Sequence, residues 1–244
     1  MKHRISSICT GVVSYLNVCL SPAKLLSHLF KCTICMVFLS GYATVMLVST
    51  RVLAEWSVPA ALSASPVKIP EGLLDLLQAG DVIFRIGNDW TSDIVRGTQN
   101  DEKDPYSHVG ILTGDGSQWQ VLHAVPAEVP GRMDAVVLDD LEFFLAPDRA
   151  RGFAVYRVAA ERSAHEAAIK YAMARLGAPF RIVKNDSEGQ YCTTLVWHAW
   201  KHAGIDLSVN FDHLNIPLAS GQYLLPYSLR RAPELSLLFE VRTE

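Results

Sequence analysis

Only one of the five cysteines in this 244-residue chain, Cys192, lies beyond residue 54; Cys9, Cys19, Cys32 and Cys35 all precede it. Beyond residue 54 no second thiol is available to close a disulfide with Cys192, so the body must be held together by an apolar core. A domain of roughly 165 residues buries enough surface for one such core. A single unpaired thiol retained in an exported protein is either buried and inert or put to use.

The first 54 residues read as a targeting segment. They carry Lys2, Arg4, Lys24, Lys31 and Arg51 and no acidic residue. An apolar run from Cys35 to Thr50 is broken by Arg51 and followed by Val52-Leu53-Ala54, which offers signal peptidase its small residues. The run is shorter than the ~20 residues a spanning helix needs. The expectation is a cleaved export signal, and hence a periplasmic or extracellular protein. The alternative is an uncleaved anchor that ties the chain to a membrane. Cys32 and Cys35 form a CxxC, but without the βαβ surroundings of a redox motif.

Residues 55–70, rich in Ala, Ser and Pro, read as a linker, leaving 71–244 as one domain. With 17 basic and 25 acidic groups beyond residue 54, the body is acidic, which argues against nucleic acid as a partner. No zinc knuckle, Walker loop or dinucleotide glycine fingerprint is present.

Within the domain, residues 71–78 suggest a short helix and Val82–Arg85 a first strand. Asn88–Asp104 reads as a polar loop containing a helical turn at Ile94-Val95-Arg96. His108–Leu112 and Trp119–Val125 form strands joined by a turn at Asp115-Gly116. Further strands are expected at Ala135–Leu138 and Phe153–Val158. Asp139 or Asp140 would cap a helical turn running to Leu145. Helices are expected over Ser163–Leu176 and Cys192–His202, ending at Gly177 and Gly204. The tail from Asp206 has no clear period beyond a strand near Leu237–Val241. The order predicts an α+β domain whose mainly antiparallel sheet carries the histidine hairpin first and the cysteine helix last.

Cys192 follows a polar run (Lys184–Gln190) and opens a helix, where unpaired N–H groups and the helix dipole favour thiolate. His108, in Ser107-His108-Val109-Gly110, is a candidate base, since such pairs meet in space rather than in sequence. His123, on the partner strand of the hairpin, is a candidate third group to orient that base. Taken singly, each has a plainer reading: a buried small hydrophobe, a structural histidine and a solvent-facing histidine.

Other constellations are weaker. His198 and His202 have metal-compatible i, i+4 spacing but no third ligand. Asp139-Asp140 reads as a cap and Asp186/Glu188 as a solvated loop, rather than as an acid–base pair. Trp119, Phe143, Phe144 and Trp197 read as core, and Gly114-Asp115-Gly116 as a turn.

Together, Gly80-Asp81-Val82-Ile83, Ser107-His108-Val109-Gly110-Ile111 and Tyr191-Cys192-Thr193-Thr194-Leu195-Val196-Trp197 resemble the YiiX/YebB-like group. These are circularly permuted relatives of the NlpC-type papain-fold cysteine hydrolases, and the resemblance covers roughly residues 72–205. It implies Cys192 as nucleophile, His108 as base and His123 as the third polar residue. It also implies that Tyr191 precedes an oxyanion pocket at the helix start, where the N–H of Cys192 is a natural donor. Cys192-Thr193-Thr194 departs from the commoner Cys-Ser-Glu, and His123 stands where a carboxylate is frequent. A histidine there is closer to the lecithin:retinol acyltransferase-like branch, from which Tyr191 in turn departs.

The expected function is an exported thiol-dependent hydrolase of amidase or peptidase type, needing no cofactor and no metal. Its substrate would be an amide in a cell-envelope peptide, small molecule or N-acyl lipid. The alternatives are an acyltransferase built on the same residues and a papain-like domain that only binds its ligand.

Overall fold

A computed structural model describes residues 67–99, 104–126, 128–184, 189–215 and 220–242. The expected export segment (1–54), the linker up to residue 66 and part of the loop before Cys192 (185–188) lie outside the described residues.

The sheet has six strands: β1 (Val82–Gly87), β2 (His108–Gly114), β3 (Trp119–Val125), β4 (Ala135–Asp140), β5 (Ala150–Val158) and β8 (Leu235–Arg242). Their order is β4-β3-β2-β1-β5-β8, and every neighbouring pair is antiparallel. This is the antiparallel α+β architecture the sequence predicts. The turn at Asp115-Gly116 pairs Gly114 with Trp119, as expected for the hairpin, and its Asp115 carboxylate accepts the N–H and hydroxyl of Ser117.

The central strands are buried on both faces, so β1 reads as a nearly continuous apolar run. Val82, Phe84 and Ile86 face one cluster, which includes Leu195, Val196, Ala199 and Trp200. Those four residues lie on α4 (Cys192–His202), which packs on β2, β3 and α3 (Arg162–Met173). Ile83 faces the other cluster, with Leu112, Val121, Leu141 and Phe144. Strand alternation sends Arg85 to that second face, where it is only 1% exposed.

Several local expectations are corrected. Residues 74–76 form only a 3₁₀ turn, not a helix over 71–78. The polar loop after β1 contains a helix, α1 (Trp90–Thr98), whose N-cap Asp89 accepts the Ser92 N–H at 2.8 Å. Asp140 holds the N-cap position of α2 (Leu141–Phe144), but its side chain makes no capping hydrogen bond, and Asp139 lies within β4. Helix α3 starts at Arg162, with Glu161 rather than Ser163 at the N-cap position. Beyond α4, the tail forms the hairpin β6 (Asp212–Leu214) and β7 (Gly221–Tyr223), then α5 (Pro226–Arg230), before β8 completes the sheet edge. This tail supplies part of the wall of the candidate site. Among the described residues no helix is long and apolar enough to cross a membrane.

Candidate active site

Helix α4 begins at Cys192 because its neighbours tie down the helix start. Thr194 Oγ1 accepts the N–H of Tyr191 at 3.0 Å, one arm of a capping box. Thr193 Oγ1 donates to Leu224 O at 2.7 Å. Both threonines of the unusual Cys-Thr-Thr run are fully buried and hydrogen-bonded, which accounts for their presence there.

Cys192 itself is half-buried and faces a cavity of about 600 Å³. His108 and Tyr191 line the same cavity. Burial pushes the Cys192 thiol up to about 11, against the N–H groups of Thr193 and Val109 and the charge of Arg85, which pull it down. The lowered thiol pKa expected at a helix start is therefore corrected: desolvation outweighs the helix terminus. Val109, whose N–H acts on the sulfur, is the residue next to His108 in β2.

His108 opens β2 and His123 lies in β3, and their rings meet directly, with His108 Nε2 2.8 Å from His123 Nδ1. His123 is fully buried and stands behind His108, away from the cavity wall. Its other nitrogen, Nε2, lies 3.1 Å from Asp139 Oδ2. Arg132 Nη1 donates to both oxygens of Asp139, at 2.8 and 3.0 Å. Asp139 is thus joined to the histidine pair, not to a helix cap as the sequence suggests.

Phe144 walls the histidines on one side, its ring centroid 4.9 Å from His123 and 5.8 Å from His108. Burial drives the His108 pKa well below its ordinary value, and the charges of Arg85 and His123 add to the effect. Burial also lowers His123, over the opposing pull of Asp139. Burial works to raise the Asp139 pKa, but His123 and Arg132 outweigh it and hold the carboxyl below its usual value. At neutral pH these shifts favour an uncharged thiol, two uncharged imidazoles and an ionised carboxylate.

Arg85, which the sequence reading passed over, sits opposite His108 in the β1–β2 register. Its guanidinium donates to Glu128 Oε1 at 2.6 Å and to Phe144 O at 3.1 Å, and lies 4.6 Å from the Phe144 ring centroid. Glu128 also accepts from Arg149 at 3.0 Å. Arg85, Glu128 and Arg149 form the polar end of the cavity, whereas Ile94, Val95, Phe180, Ile182, Leu214 and Leu225 supply apolar wall.

Tyr191 is pinned by its own hydroxyl, which accepts the N–H of Leu224 at 2.8 Å. Burial pushes its pKa up to about 12, so the hydroxyl stays neutral. Trp119, Phe144 and Trp197 are buried in the core, as read from the sequence, whereas Phe143 is only half-buried, under the Arg149 guanidinium; none of the four lines the cavity. His198 and His202 lie against the rings of Trp197 and Tyr171. Among the described residues no group of three His, Cys, Asp or Glu side chains is placed to hold a metal.

A search of curated proteins finds no match. Among solved structures, the chain is similar to YiiX from Escherichia coli O157:H7, described as a metalloprotein. The two share 21% identity, over 66% of this chain and 96% of that one, with a TM-score of 0.53. That likeness concerns the fold. Sequence carries the relationship further: residues 76–237 match the permuted papain-like amidases YaeF/YiiX, the C92 family of cysteine hydrolases, and the chain belongs to that family.

Proposed function

We propose that this protein is an exported amidase in which Cys192 is the nucleophile, His108 the base and His123 the residue that orients the base. The observation that carries this reading is that Cys192 and His108 line one cavity while His123 is hydrogen-bonded behind His108 at 2.8 Å. His108 engages His123 through Nε2, so Nδ1 is the nitrogen left to serve the thiol.

Because the resting thiol and imidazole are both neutral, the proton moves from sulfur to His108 Nδ1 as sulfur attacks the amide carbon. The carbonyl oxygen becomes an oxyanion, for which the N–H of Cys192 is the natural donor. The C–N bond then breaks, imidazolium gives its proton to the departing amine, and a thioester remains. Water, deprotonated by His108, attacks the thioester and releases the acid and the thiol. The apolar wall formed by Ile94, Val95, Phe180 and Ile182 favours an amide bearing an apolar acyl chain, an N-acyl lipid, over a polar cell-wall peptide.

The test is intact-mass analysis of the full chain after exposure to N-acyl amides of graded chain length and to cell-wall peptides. The expected result is an acyl adduct on Cys192 and free amine product, both lost in Cys192→Ala. A protein that retains ligand in Cys192→Ser, and never carries an adduct in the wild type, would be a binding domain instead.

A further inference from the structure

We infer that Asp139, clamped by Arg132, is a positioning residue that decides which ring nitrogen of His108 is free to take the Cys192 proton. This rests on the roles proposed above for Cys192 and His108, and extends them two hydrogen bonds further from the cavity.

The argument is one of proton bookkeeping along a buried chain. Asp139 is ionised, and Arg132 Nη1 donates to both of its oxygens. A carboxylate in that state can only accept. His123 Nε2, 3.1 Å from Oδ2, must therefore carry the hydrogen. A neutral imidazole carries one ring hydrogen, so His123 Nδ1 is bare and accepts. His108 Nε2, 2.8 Å from that bare nitrogen, must then be the donor. That leaves His108 Nδ1 without a hydrogen, the state a base needs.

Each ring in isolation has two tautomers, but with Asp139 at the end of the chain only one combination satisfies every contact. If an apolar side chain replaces Asp139, His123 is free to move its hydrogen to Nδ1. His108 Nε2 must then accept, its own hydrogen shifts to Nδ1, and the base is blocked. The other charged groups facing this chain, Arg85 and Glu128, affect how readily the rings take a second proton, but neither is hydrogen-bonded to a ring and neither selects a tautomer.

The experiment uses the full chain with ¹⁵N-labelled histidine. Imidazole nitrogen shifts of wild type and Asp139→Leu are recorded, together with the rate at which iodoacetamide modifies the Cys192 peptide. In the wild type both His108 and His123 should carry hydrogen on Nε2 at neutral pH. Finding His108 protonated on Nδ1 would overturn the inference without recourse to any variant, so a poorly folding Asp139→Leu does not leave the question open. In folded Asp139→Leu the tautomers should mix and the Cys192 rate should fall about ten- to a hundredfold, the size found when the outer hydrogen-bond partner that fixes a metal-bound histidine's tautomer is removed. Unchanged shifts and rate would also overturn it. A His108→Ala control separates the two levels. If that variant reacts as fast as wild type, the base reading itself fails; if it is slow while Asp139→Leu is normal, only the positioning role fails.

Discussion

The hydroxyl of Tyr191 accepts the backbone N–H of Leu224 at 2.8 Å, while its neighbour across Cys192, Thr193, donates to the carbonyl of the same residue at 2.7 Å. Both backbone polar groups of a fully buried residue are thus held by the two side chains flanking the nucleophile. This clamp seats Tyr223 to Pro226, one wall of the cavity, on the start of α4. Tyr191→Phe should orphan the Leu224 N–H and cost about 1–3 kcal/mol in denaturant unfolding. Thr193→Val should cost a similar amount, and the double variant should lose less than the sum of the two, because both act on one peptide segment. Strictly additive losses, or a Tyr191→Phe loss within error of zero, would count against the clamp.

Stability should fall as the pH drops below about 6.5, the ordinary histidine value. Burial holds His108 and His123 below that value in the folded state. The unfolded chain therefore takes up protons that the folded chain refuses, and acidification favours unfolding. Each histidine contributes a slope of roughly 1.4 kcal/mol per pH unit over that window. The sign reverses at high pH. With the Cys192 thiol pushed up to about 11, the unfolded thiol ionises first, and stability declines above about 8.5. Denaturant midpoints measured from pH 5 to pH 10 should trace this dome. A flat profile between pH 7 and pH 5 would show that the two rings are not held neutral.

Elements whose signals are local could be read directly. Strand β3 and helix α4 have the bounds expected from alternation, from the polar run before Cys192 and from the stop at Gly204. Helix α1 was also readable in principle, since Asp89 and Ser92 form a capping pair, but its polar composition masked it. Asp139 was missed for a nonlocal reason. His123 pairs with Val137 in the β3–β4 register, and Asp139 lies two residues further along the same face. The apolar signal of the strand stops at Leu138, and Asp139 joins β4 only through its pairing with Val121. The raised thiol pKa was invisible because a helix start is a local feature, whereas desolvation depends on the cavity wall contributed by distant segments such as Leu224.

Arg85 should act on both reacting groups through its charge. Its charge lowers the pKa of His108 and of Cys192. Replacing it by methionine should therefore move both upward, making the imidazole easier to protonate and the thiol harder to ionise. Histidine NMR titration and the ultraviolet absorbance of the thiolate measure the two shifts separately. The same change leaves Phe144 O without its donor and Glu128 with Arg149 alone. Breaking such a buried pair costs about 3–5 kcal/mol. A downward move of the His108 titration would refute the electrostatic assignment whatever the change in stability.

Gly110 gives the Ser-His-Val-Gly run a steric reason for its glycine. A Cβ there would lie 2.4 Å from Val121 Cγ1, 2.9 Å from Leu122 O and 3.1 Å from His123 Cβ. The valine methyl can rotate away, but the Leu122 carbonyl belongs to the backbone of β3, so relief requires β3 to move off β2. His123 rides on β3, and that movement would stretch its 2.8 Å contact with His108. Gly110→Ala should thus destabilise the fold by about 1–3 kcal/mol, as overpacking does. It should also slow Cys192 alkylation even at temperatures where the variant is fully folded. Gly97→Ala in α1 is the matched control, because an added methyl there meets nothing within 4 Å and alanine is the better helix former by about 1 kcal/mol. Thermal melts of the two variants should move in opposite directions, and a Gly110→Ala protein as stable and as reactive as wild type would mean that the close approach of β3 is not what holds the histidine pair together.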